Sequence, residues 1–97
     1  MITIVAVIKT VEGKDVEVEA AFLEMIEKIK SEEGTTTYVL HRSSVEPRTF
    51  MFYEQYKDDD AFNAHMTSSY MADMSKKIGD LLEGSPSIEM YEEIARK

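Results

Sequence analysis

A chain of 97 residues, 43% apolar and 31% charged, has enough core for one domain and too little for two, so residues 1–97 read as a single domain with no separate cofactor-binding unit. Nineteen acidic against eleven basic residues give a net charge of −8, which disfavours nucleic acid and anionic membrane surfaces as partners and leaves small molecules or other proteins. The absence of cysteine rules out a disulfide framework, a thiolate metal site and a cysteine nucleophile.

The first predicted element is a strand over residues 2–10, with Ile2, Ile4, Ala6 and Ile8 pointing one way and Val5 and Val7 the other. Apolar residues at both parities mark a strand buried on both faces. The run has no basic segment before it and is far shorter than the ~20 residues a membrane span needs; a cytoplasmic location is expected. A turn around Gly13 leads to a helix from about Asp15 to Ser31, in which Val18, Ala21, Phe22, Met25, Ile26 and Ile29 recur at three- and four-residue intervals. Gly34 is expected to cap its C-terminus.

A second strand, about Thr35 to Ser44, is rich in Thr, Tyr and Val, and carries His41 without a recognisable partner. Glu46, Pro47 and Arg48 connect it to a third strand from Thr49 to Lys57. Helix follows from about Asp59 to Ile78, with Phe62, Met66, Tyr70 and Met74 on one stripe and a break expected near Ser68 and Ser69. The last strand runs from Ser87 to Ala95. The order β-α-β-β-α-β is the ferredoxin-like split arrangement of the α+β class: an antiparallel four-stranded sheet with its helices on one face. Met51 and Tyr53, with Val5 and Val7, make the other face apolar too. With no further element to cover it, a homodimer packed through that sheet face is expected.

Chemistry concentrates between Phe50 and Tyr70, in FMFYEQYKDDDAFNAHMTSSY. Phe50, Phe52, Glu54 and Tyr56 share one strand face, so a carboxylate sits among aromatic rings, a costly placement unless something pairs with it. Asp58, Asp59 and Asp60 suit a helix N-terminus; three adjacent carboxylates do not converge on one cation, and no metal site is expected. If the helix folds back over the strand, His65 and Glu54 come level, each about 10 Å from the turn. Burial would raise the pKa of Glu54 and an imidazolium neighbour would lower it, so the two could share one proton. A structural histidine hydrogen-bonded to a carboxylate is an equally open reading of His65.

Gly34 with Tyr38, Pro47, Phe50, the run Tyr53-Glu54-Gln55-Tyr56, Asp58 to Asp60, Ala61 and His65 resemble the antibiotic biosynthesis monooxygenase family across nearly the whole chain. The resemblance implies a dimeric α+β barrel with a pocket between helices and sheet in each subunit. It also implies oxidation of quinols or polyketide phenols without flavin, haem or metal, and hence no cofactor. The run from Tyr53 to His65 is also similar to the branch that isomerises a phosphorylated breakdown product of the autoinducer-2 signal. Three departures matter. Ser68, Ser69 and Tyr70 stand where many members have a T-P-H segment. Tyr56 stands for a usual Trp. The Trp and axial His of haem-degrading relatives correspond to His65 and Ser75, so haem cleavage is not expected.

These readings give His65 as general base, with Glu54 orienting and charge-stabilising it, and Tyr38, Phe50, Tyr56, Phe62 and Tyr70 as candidate substrate-binding walls. The expected activity is cofactor-independent monooxygenation of a phenolic or quinol-type molecule. The alternatives are isomerisation of a small, phosphorylated hydroxyketone by the same pair, or a non-catalytic ligand-binding dimer. No Gly-rich loop or basic cluster supports phosphate recognition.

Overall fold

A computed structural model describes residues 1–97. It contains β1 (Ile2–Lys9), α1 (Asp15–Ile29), β2 (Thr35–Arg42), β3 (Thr49–Tyr56), α2 (Asp59–Met66), α3 (Ser69–Ile78) and, after a 3-10 turn at Gly79–Leu81, β4 (Ser87–Tyr91). The antiparallel sheet has the order β2-β3-β1-β4. This is the ferredoxin-like arrangement expected, with the second helix in two pieces.

The core lies between the sheet and the helices because α1 carries one apolar stripe. Val18, Ala21, Phe22, Met25 and Ile29 are its buried residues. They pack on Ala6 and Ile8 of β1 and Phe50 and Phe52 of β3, with the Phe22 ring edge-on to both phenylalanines at 5.6 and 4.8 Å. Phe50 is therefore part of the core.

The break in the second helix falls where Thr67 and Ser68 stand. The Thr67 hydroxyl donates to the Asn63 carbonyl at 2.8 Å and the Ser68 hydroxyl to the His65 carbonyl at 2.7 Å, so side chains satisfy the last carbonyls of α2. Ser68 is extended, and α3 restarts at Ser69, packing on α1.

Several expected boundaries shift. Helix α1 ends at Ile29 with Lys30 as its C-cap, so Gly34 is not the cap. Its φ is not in the left-handed region. Gly34 is instead a point of close approach: a Cβ there would lie 2.4 Å from the Cβ of Ala61. The second strand stops at Arg42 rather than Ser44, because Ser43 turns the chain by accepting the backbone N–H groups of Val45 and Glu46. The fourth strand ends at Tyr91, not Ala95. Residues beyond it fold across one end of the outer sheet face, where Gln55 donates to Glu93 at 3.3 Å and accepts from Arg96 at 3.1 Å. Gln55 and Thr3 are buried there, so the chain covers part of a face expected to lack any cover. Val7 and Val39 remain exposed, with Val5, Met51 and Tyr53 half-buried beside them.

Candidate active site

In the central strand β3, Glu54 is opposite Ile4 of β1 and Tyr38 of β2, and its side chain faces the helices. The turn after β3 is capped by Asp58, whose carboxylate accepts the Ala61 N–H at 2.8 Å. Capping of this kind starts α2 abruptly, and α2 returns over β2 and β3. Phe62 and His65 thereby reach the sheet: Tyr56 lies 5.2 Å from Phe62 and 5.3 Å from His65, and Tyr38 lies 5.3 Å from His65.

Glu54 and His65 line one cavity of about 150 Å³ between sheet and helices, but they do not pair. Glu54 accepts the Tyr56 hydroxyl at 2.5 Å, and His65 Nδ1 meets the carboxylate of Glu32 at 3.1 and 3.3 Å. The carboxylate hydrogen-bonded to the imidazole is thus Glu32, not Glu54. Glu32 lies in the turn after α1, where the Thr35 hydroxyl also holds it at 2.5 Å. No local pattern marks it: Ser31-Glu32-Glu33 reads as a solvated helix end, and its partner is thirty-three residues away. The one available hint is the compact Gly34 beside it, which lets α2 approach the turn.

The electrostatics follow from burial. Glu54, 5% exposed, is pushed up to about 7 by desolvation, opposed by the Tyr56 hydrogen bond and reinforced by the nearby Glu32 charge. Desolvation pulls His65 below its ordinary value, against the attraction of Glu32. Burial, with the charges of Glu54 and Glu32, drives Tyr38 upward, so its hydroxyl keeps its proton. An imidazole that donates Nδ1–H to a carboxylate leaves Nε2 with the lone pair, the form of a general base. A carboxyl group poised near neutrality is suited to deliver a proton.

Of the proposed walls, Tyr38 and Phe62 line the cavity; Phe50, Tyr56 and Tyr70 do not. Tyr56 is spent on Glu54. Tyr70 leaves the stripe of Phe62 and Met66 because the helix breaks before it; it lines a cleft of about 50 Å³ between α1 and α3 and, with Glu32 and His65, a separate hollow of about 170 Å³ beside the turn before β2. Met66, Met71, Met74 and Ile88 complete the apolar wall, and no lysine or arginine belongs to it. His41 is exposed on β2. No group of three or more His, Asp or Glu side chains is arranged as a metal site.

The topology and this apolar site define a ferredoxin-like α+β domain with its cavity between sheet and helices. The sequence model of the antibiotic biosynthesis monooxygenase family matches residues 1–77, and the chain belongs to that family. A Caulobacter crescentus protein bearing the family's name is 30% identical, covers 97% of this chain and 90% of its own, and superposes with a TM-score of 0.91. A Shewanella oneidensis protein is 31% identical over 93% of this chain and 87% of its own, with a TM-score of 0.87. A Nitrosomonas europaea protein of the same family name shares the fold at 18% identity, with a TM-score of 0.93 over 98% of this chain and all of its own. No match is found among curated proteins.

Proposed function

We propose that this protein is a small cofactor-independent monooxygenase that oxidises a phenolic or quinol-type molecule with dioxygen, using His65 as base and Glu54 as acid. The observation that carries the reading is two proton-handling side chains, both biased toward their neutral forms, in an apolar cavity without a cation in its lining. Such surroundings favour a neutral ligand with a hydroxyl group to place between them.

The chemistry balances without an external reductant. A hydroquinone and one dioxygen give a hydroxyquinone and water, and a phenol substituted opposite its hydroxyl gives with one dioxygen the corresponding ortho-quinone and water; in both the ring supplies all four electrons. The protein then has to move protons, hold the ring and exclude bulk water. Nε2 of His65 takes the phenolic proton, and the electron-rich phenolate reacts with dioxygen directly. Glu54 donates the proton needed by the oxygen atom that departs as water. Glu32 holds the imidazole in the productive tautomer and stabilises the imidazolium.

Isomerisation of a hydroxyketone could use the same acid and base. A phosphorylated substrate would nevertheless place a dianion against Glu54 and apolar walls with no Lys or Arg to receive it. That mismatch favours the oxygenase. The reading includes a homodimer, in which the strip of Val5, Val7, Val39, Met51 and Tyr53 meets a second copy.

Oxygen uptake over a panel of hydroquinones tests the proposal. His65→Ala is expected to lower turnover at least ~100-fold, the scale of a lost general base. Glu32→Gln removes a charge that holds the His65 pKa up. The limb of the pH profile that rises as the base loses its proton is therefore expected to move to lower pH. Undiminished activity of His65→Ala, or product formed under argon, overturns the mechanism, and tight binding with no product points to a sequestering role.

A further inference from the structure

The cavity at Glu54 and His65 adjoins a second hollow, and the two together define the shape of the ligand. The inner one, at about 150 Å³, matches the volume of an apolar cavity that accommodates a single benzene ring. Its polar groups are gathered at one end: Glu54 is level with Ile4 and Tyr38 across the sheet. From there the wall follows Ile4, Ala6 and Ile8 along one face of β1, about 13 Å at ~3.3 Å per residue.

The outer hollow, about 340 Å³, takes Ile8 but neither Ile4 nor Ala6 in its lining, so it begins at the end remote from Glu54. It shares Ile8, Phe22, Met74, Ser75 and Pro86 with the inner cavity, and Ile78 and Leu82 extend its apolar wall. It has no charged side chain in its lining. A ring that offers its hydroxyl to His65 turns its opposite edge toward Ile8 and this second space.

From this geometry we infer that the ligand is a phenol carrying an apolar tail on the side of the ring opposite the reacting hydroxyl, with the ring in the inner cavity and the tail between α3 and the segment entering β4. The inference rests on the phenol-oxidising reading above and adds to it the tail and its position. Ser75 and Pro86 sit at the junction, where the tail leaves the ring compartment. The outer hollow is open to solvent in part, since Ser75, Gly84 and Ser85 are exposed, so tails of different length fit without repacking the core.

Isothermal titration of the full chain under argon with phenol and with 4-alkylphenols from methyl to hexyl, set against their 2-alkyl isomers, separates shape from greasiness. Affinity is expected to rise up to about fourfold per methylene in the 4-series, the gain for complete burial, and to fall behind in the 2-series of equal carbon number. Ser75→Phe, which fills the junction, is expected to flatten the 4-series. Equal affinities for 2- and 4-isomers, or an unchanged slope in Ser75→Phe, overturn the tail compartment while the phenol reading stands. Failure of phenol and every alkylphenol to bind overturns both.

Discussion

Glu54 is the residue on which burial and charge disagree most openly. With an ordinary value of 4.5 raised to about 7, the folded protein binds a proton that the unfolded chain releases, so the stability tied to Glu54 is lost as pH rises from about 4.5 through about 7. The full loss is about 3 kcal/mol above that window. Glu54→Gln keeps an acceptor for the Tyr56 hydroxyl and carries no charge. It is therefore expected to be more stable than the parent at pH 8 by up to that amount, and nearly equal at pH 4.5. Urea denaturation at the two pH values checks it, and equal stability at both refutes the buried-acid description. His65 contributes a slope of opposite sign, because its lowered pKa makes the fold less stable as pH falls below the ordinary 6.5. That contribution is common to both proteins and cancels in the difference. The presence of Glu54 among aromatic residues was readable from alternation along β3. Its separation from His65 was not, because Glu32 reaches the imidazole from a turn whose sequence looks solvated.

At the scale of elements, the site depends on how closely α2 can lie against the turn before β2. Gly34 makes that approach possible: its carbonyl accepts the Lys57 N–H at 2.9 Å, and the space where a Cβ would stand is taken by Ala61. Gly34→Ala is expected to destabilise the fold by about 1–3 kcal/mol, as overpacking does. Adding Ala61→Gly is expected to recover part of that loss despite weakening α2. Thermal unfolding of the two single variants and the double variant measures the coupling; simple additivity refutes the contact. The acidic turn at Asp58 and the hydroxyl-rich break at Thr67 and Ser68 were both legible, since capping chemistry is local. The consequence for Tyr70 was not. A stripe drawn through an unbroken helix keeps Phe62, Met66 and Tyr70 together, whereas the extended Ser68 separates Tyr70 from them and leaves it between the cleft against α1 and the hollow beside Glu32 and His65.

Across the whole molecule, the unsettled surface is the outer sheet face. Its exposed Val7 and Val39 tolerate lysine in an isolated subunit, while in a dimer packed through this face the same change would bury four charges. If the proposed dimer exists, light scattering after gel filtration should return twice the 11.1 kDa chain mass for the parent and the single mass for Val7→Lys/Val39→Lys. A parent protein at the single mass removes the dimer. The C-terminal residues were expected to extend β4; by folding over Gln55 they leave less of this face for a partner.

Period-two and period-3.6 patterns determined the elements and their order, because each element records in its own residues which side is hidden from water. The Asp58 cap and the break after Met66 were likewise determined locally, within four residues, whereas the cap expected at Gly34 gave way to Lys30. Which carboxylate meets His65, which aromatic rings reach the cavity and where the chain's end lies were decided only by tertiary packing, because those contacts join different elements, thirty-three residues apart for Glu32 and His65, whose local sequence is the same whether or not they meet.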